Sequence, residues 1–175
     1  MIHLNKGKPF PLGSSLTSQG INFSLVATNA EYVEILLFEK EESISPKRIF
    51  KLDETYNTGP YWHAEIKNLD EGCIYAYRVK QKNNEINNNY EKKVLLDPCS
   101  RGITGWRSYK RENALKNQEN TNSCLKSVVC DRKLFNFKDY PRPKHSWEET
   151  IIYELHIKAF TESTDKDESL SLIHI

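Results

Sequence analysis

Apolar and polar residues alternate with period two through much of the first hundred positions. Between positions 20 and 27, Ile21, Phe23 and Leu25 share one phase while Asn22 and Ser24 take the other. Such alternation marks a half-buried strand, because successive side chains leave a strand on opposite faces. After a turn at 28–31 the pattern resumes, with Val33, Ile35 and Leu37 in phase, and a charged loop at 39–42 leads past Pro46 to a short strand at 48–52. The run Asn57, Thr58, Gly59, Pro60 is a turn signal. Beyond it Trp62, Ala64 and Ile66 alternate with His63, Glu65 and Lys67, and a second turn at 68–72 leads to the clearest strand, 74–80. A polar, Asn-rich loop covers 81–89, and Val94 to Pro98 closes the series. Short strands separated by turn signals predict an all-β fold, an immunoglobulin-like antiparallel β-sandwich over residues 1–98.

From 99 to 148 the periodicity fades into a connecting segment. Residues 103–106 are an apolar island, 127–130 read as one further strand, and 135–147 are aromatic and proline-rich, as in an ordered linker. Residues 151–161 then form an apolar run that suits a strand covered on both faces.

The chain has 175 residues, of which 38% are hydrophobic; nine Tyr, seven Phe and three Trp supply core material. Twenty-five basic and 24 acidic residues are mixed along the chain for a net charge of +1, so no basic stripe points to nucleic acid. No window resembles a signal peptide or a membrane span, which predicts a cytoplasmic protein without a membrane partner. Cys73, Cys99, Cys124 and Cys130 form no CxxC pair and have no His at zinc spacing. Free thiols and no metal or other cofactor are therefore expected.

Three collinear segments carry a family resemblance. Residues 7–14 followed by 20–25 resemble the opening of isoamylase-type glycogen and starch debranching enzymes. The stretches 61–63, 75–79 and 95–98 resemble the rest of their family-48 carbohydrate-binding module. Residues 147–161 resemble the entry to the glycoside hydrolase family 13 barrel. The chain departs from the family in a compact loop at 83–91 and between Trp106 and Cys124.

The resemblance implies hydrolysis of α-1,6 branch linkages by a retaining mechanism, with two carboxyl groups about 5–5.5 Å apart on later barrel strands. A (β/α)₈ barrel takes about 250 residues, so residues 149–164 are expected to be the start of a truncated barrel. No residue here inherits a catalytic role, and this chain alone is expected to be inactive. The implied partner is a branched α-glucan: glycogen, amylopectin or phytoglycogen. The alternative is a non-catalytic glycogen- or starch-binding module. Residues 170–175 read as the in-frame translation of a sequencing-library transposon adaptor, a tail without function.

Two residues are candidate carbohydrate contacts. Pyranose faces stack on aromatic rings, which singles out Trp62 and Trp106. Trp62 shares its strand phase with Ala64 and Ile66, so a core role competes with a sugar platform. Trp106, between Gly105 and Arg107, is open to either interface packing or surface stacking. Tyr75 and Tyr77 are expected in the core, Glu154 and His156 as supports of a barrel floor, and the charged run 39–42 as a solvated loop tip.

Overall fold

The computed structural model describes residues 3–82, 92–131 and 144–156. Two units divide the chain, one over 1–134 and one over 135–175.

The first unit is an antiparallel β-sandwich. Its first sheet has the order β1 (Leu4–Asn5), β7 (Tyr61–Lys67), β3 (Gly20–Val26), β2 (Gly13–Leu16), with β6 (Asn57–Thr58) also on β7. The second runs β5 (Arg48–Leu52), β4 (Ala30–Phe38), β8 (Ile74–Gln81), β10 (Lys126–Val128), β9 (Gly102–Thr104). Register follows the apolar phases: Phe23 lies opposite Ala64 and Leu25 opposite Trp62, while Ile35 faces Tyr77 and Leu37 faces Tyr75. Those side chains meet between the sheets in one core with Ile21, Val33, Leu52 and Ile66. A one-residue slip in any of these strands would turn its apolar set outward, so burial fixes the register.

The second sheet runs past residue 98. It takes β9 and β10 from the segment whose periodicity fades, and β10 sits between β8 and β9. The segment 94–125 covers the outer face of the sheet, where Leu36, Phe38 and Ala76 pack with Val94 and Cys124. The Asn120 side chain pins this cover by bonding both Val94 N (2.8 Å) and Val94 O (3.2 Å). One short helix, α1 (Arg111–Leu115), lies within it.

The first sheet is covered by residues 6–10. Asn22 Oδ1 accepts from Lys8 N at 2.7 Å, Asn22 Nδ2 donates to Lys8 O at 3.0 Å, and Ser24 Oγ donates to Pro9 O at 2.6 Å. His63 joins them, its ring nitrogens 2.7 Å from Lys6 O and 2.8 Å from Thr58 Oγ1. Asn22 and Ser24 of β3 and His63 of β7 are thus buried, because a polar strap rather than water satisfies them. Gly7 has φ +66, and a Cβ there would stand 2.4 Å from Asn22 Oδ1, so the strap needs glycine at that point.

In the second unit, residues 146–150 form a turn with Thr150 Oγ1 donating to Ser146 O at 2.7 Å. Ile151, Ile152, Tyr153 and Leu155 are exposed. Of the strand expected over 151–161, residues 151–156 therefore form no strand and are covered on neither face, and residues 157–175, including the expected tail, lie outside the described residues.

Candidate functional site

Trp62 lies in the first sheet and Trp106 on a turn beside the second, in opposite environments. Trp62, on β7, is 4% exposed, and its indole N–H donates to Ala27 O at 3.0 Å. That bond ties β7 to the turn between β3 and β4. Trp62 also forms part of the wall of a polar pocket of about 250 Å³, shared with Thr28, Glu54, Asn57 and Lys82. On the other side of the turn, Leu25, Tyr77, Val79, Leu96 and Pro98 line an apolar cleft of about 360 Å³. Tyr75 and Tyr77 lie in the core.

Trp106 is 64% exposed and is separated from the end of β9 by Gly105 alone. Its ring meets Tyr109 edge to face, with centroids 6.0 Å apart. A tight turn presents it. Gly105 has φ +95, a conformation that favours glycine, and Gly105 O accepts from Ser108 N at 3.2 Å. Lys110 N donates to Ser123 O at 3.1 Å and closes the segment behind it.

The loop between β4 and β5 reaches this turn. Glu41 Oε2 accepts from Thr104 Oγ1 and, at 3.4 Å, from Gly105 N. The Thr104 hydroxyl, then the Gly105 amide, hold the Glu41 carboxyl below its ordinary pKa. Glu41 O in turn accepts from Lys126 Nζ at 2.8 Å; Lys126 is buried on β10, donates also to Thr121 O at 3.3 Å, and lies 5.0 Å from the Phe38 ring centre. The charged run 39–42 is therefore more than a solvated tip, since Glu41 fastens it to the Trp106 turn. Sequence reading missed this, because Glu41 and Thr104 are 63 positions apart and neither belongs to a motif.

Among the described residues no group of three or more His, Cys, Asp or Glu could hold a metal, and no helix is long and apolar enough to cross a membrane. All four cysteines are free thiols. Burial pushes Cys73 up to about 11 and raises Cys124.

Residues 11–100 match the family described as carbohydrate-binding module 48 (isoamylase N-terminal domain). The chain is 29% identical over 171 residues to a glycogen debranching enzyme of Pectobacterium carotovorum, covering 93% of this chain and 25% of that protein. A glycogen debranching enzyme of Cronobacter sakazakii is 31% identical over 168 residues, covering 92% and 24%. The chain thus spans about a quarter of the length of the curated relatives it matches. Among solved structures, the catalytic module of a multi-modular glycogen-degrading pneumococcal virulence factor superposes with a TM-score of 0.51 at 14% identity. That match covers 72% of this chain and 17% of the other, and at such identity it speaks to the fold alone.

Proposed function

Since the chain belongs to the carbohydrate-binding module 48 family, we propose that it is the N-terminal, glucan-facing part of an enzyme that hydrolyses α-1,6 branch linkages in glycogen or starch. The observation that carries this reading is the reach of the similarity. Relatives called glycogen debranching enzymes align over 93% of the chain, well past the module itself. A cytoplasmic location accords with the same reading.

Just past the matched module residues, on the turn after β9 of the same sandwich, Trp106 is the stacking surface for the glucan. Its exposure leaves a ring face for a pyranose, and Tyr109 braces it. Trp62 acts differently: burial and the bond to Ala27 O commit its ring to the core, and it contributes a wall to the polar pocket beside Asn57 and Lys82. The catalytic carboxylates of a retaining hydrolase belong to the barrel, so the 175-residue chain binds and does not cleave.

The test is isothermal titration of the 175-residue chain with maltoheptaose and glycogen, alongside an assay for linear chains released from glycogen. Measurable binding that Trp106→Ala weakens, without hydrolysis, is the expected result. Release of linear chains by this chain alone overturns its inactivity. Genomic sequence that continues the reading frame into a barrel supports the debranching enzyme, and a stop codon directly after Ile175 favours a free-standing binding module.

A further inference from the structure

From the contacts of the β4–β5 loop we infer that Glu41 is a positioning residue for glucan binding, holding the Gly105–Ser108 turn in the conformation that presents Trp106. This rests on the reading of Trp106 as the stacking surface.

The turn leaves β9 at the edge of its sheet, where pairing with β10 supports it only as far as Thr104. From Gly105 onward the sheet supplies no ladder bond, and Gly105 itself has the widest backbone freedom of any residue type. An exposed aromatic on such a turn would sample many orientations, and ordering it on binding would cost affinity.

Glu41 removes that freedom at the root of the turn. One oxygen, Oε2, takes both the Thr104 hydroxyl and the Gly105 amide, so the last strand residue and the first turn residue are fixed relative to each other. Hydrogen bonds to an ionised acceptor are stronger than neutral ones, which suits a one-atom clamp. The clamp is itself anchored, because the buried Lys126 ammonium holds Glu41 O at 2.8 Å. Ser108 closes the other end through its amide and hydroxyl, both 3.2 Å from Gly105 O. Trp106 lies between the two fixed points and makes its ring contact with Tyr109.

The role requires an acceptor at position 41 and no charge on the ligand side. Glu41→Gln keeps a carbonyl oxygen at the end of a side chain of the same length. Glu41→Ala removes the acceptor.

The experiment uses the full 175-residue chain labelled with 5-fluorotryptophan, which gives three fluorine resonances, assigned by replacing each tryptophan with phenylalanine. Maltoheptaose affinity is measured on the same samples. Glu41→Ala is expected to shift or broaden the Trp106 resonance and to weaken binding about tenfold, the cost of ordering a released segment. Glu41→Gln is expected to restore both. The buried Trp62 resonance must stay in place, which certifies the fold of each variant; where Glu41→Ala disturbs it, Thr104→Val replaces that variant. An unchanged Trp106 resonance in whichever of Glu41→Ala and Thr104→Val is used overturns the positioning role. So does a changed resonance with unaltered affinity when Trp106→Ala lowers it. If Trp106→Ala leaves affinity intact, the stacking reading itself has failed, and the fluorine spectra then report separately whether Glu41 holds the turn.

Discussion

The Tyr75 hydroxyl donates to Asp97 Oδ2 at 2.6 Å in the interior of the sandwich. Asp97 Oδ1 accepts from Cys99 N at 2.7 Å, and Asp97 N donates to Ser127 Oγ at 3.1 Å. Asp97 thereby joins β8 and the exit of the 94–98 segment through its carboxylate, and β10 through its backbone amide. The bonds matter because Asp97 is buried, and an unpaired carboxylate there would be expensive.

Tyr75→Phe removes one of the two donors to the Asp97 side chain. The expected loss is about 1–3 kcal/mol of unfolding free energy, the range for an orphaned buried acceptor. Urea unfolding followed by near-ultraviolet circular dichroism measures it, and a change below about 0.5 kcal/mol would show that water replaces the hydroxyl at no cost.

Burial raises the Asp97 pKa above its ordinary value, and the bonds from Tyr75 and Cys99 only partly offset this. Between the unfolded and the native pKa the native chain therefore holds a proton that the unfolded chain has already released. Stability from this group is full below the unfolded value near pH 4 and falls as pH rises to the native pKa. Asp97→Asn abolishes that slope, so wild type loses ground to the variant as pH rises from about 4 through the native pKa. Parallel pH profiles for the two proteins would contradict the assignment.

Cys73, at a pKa of about 11, carries only about one thiolate in a thousand at pH 8. Cys124 is buried as well as raised, whereas Cys99 is exposed. Iodoacetamide at pH 8 should modify Cys99 first and leave Cys73 and Cys124 intact on the native protein. Peptide mass mapping reads the order, and early labelling of Cys73 would mean that the start of β8 opens readily.

Asn22→Ala releases the strap from the first sheet by deleting both bonds to Lys8. A stability loss of about 1–3 kcal/mol is expected. The Lys8 amide should then exchange with deuterium much faster while the amides of β4 remain protected. Uniform acceleration would instead indicate global unfolding.

Trp62→Ala should cost about 3–5 kcal/mol, as for other large-to-small core changes, while Trp62→Phe keeps the ring and loses the bond to Ala27 O. Thermal unfolding ranks the two. Glucan affinity that tracks Trp62→Phe as strongly as Trp106→Ala would move the stacking surface to the first sheet.

The alternating phases of β3, β4, β7 and β8 were legible in the sequence by themselves, and so was the inter-sheet core they build. A strand that must bury one face writes a period of two into its residues. Covering loops carry no such period. The 94–125 segment seals Leu36 and Phe38 through side chains at irregular spacing, and the 6–10 strap meets Asn22, Ser24 and His63 with backbone groups. Polar residues on a strand's second phase are the same letters whether water or a strap satisfies them. Only the tertiary structure decided that they are buried, that Trp62 faces the core while Trp106 stands exposed, and that Glu41 holds the turn beside it. Those outcomes depend on groups far apart along the chain meeting at hydrogen-bonding distance, and no local pattern records such a meeting.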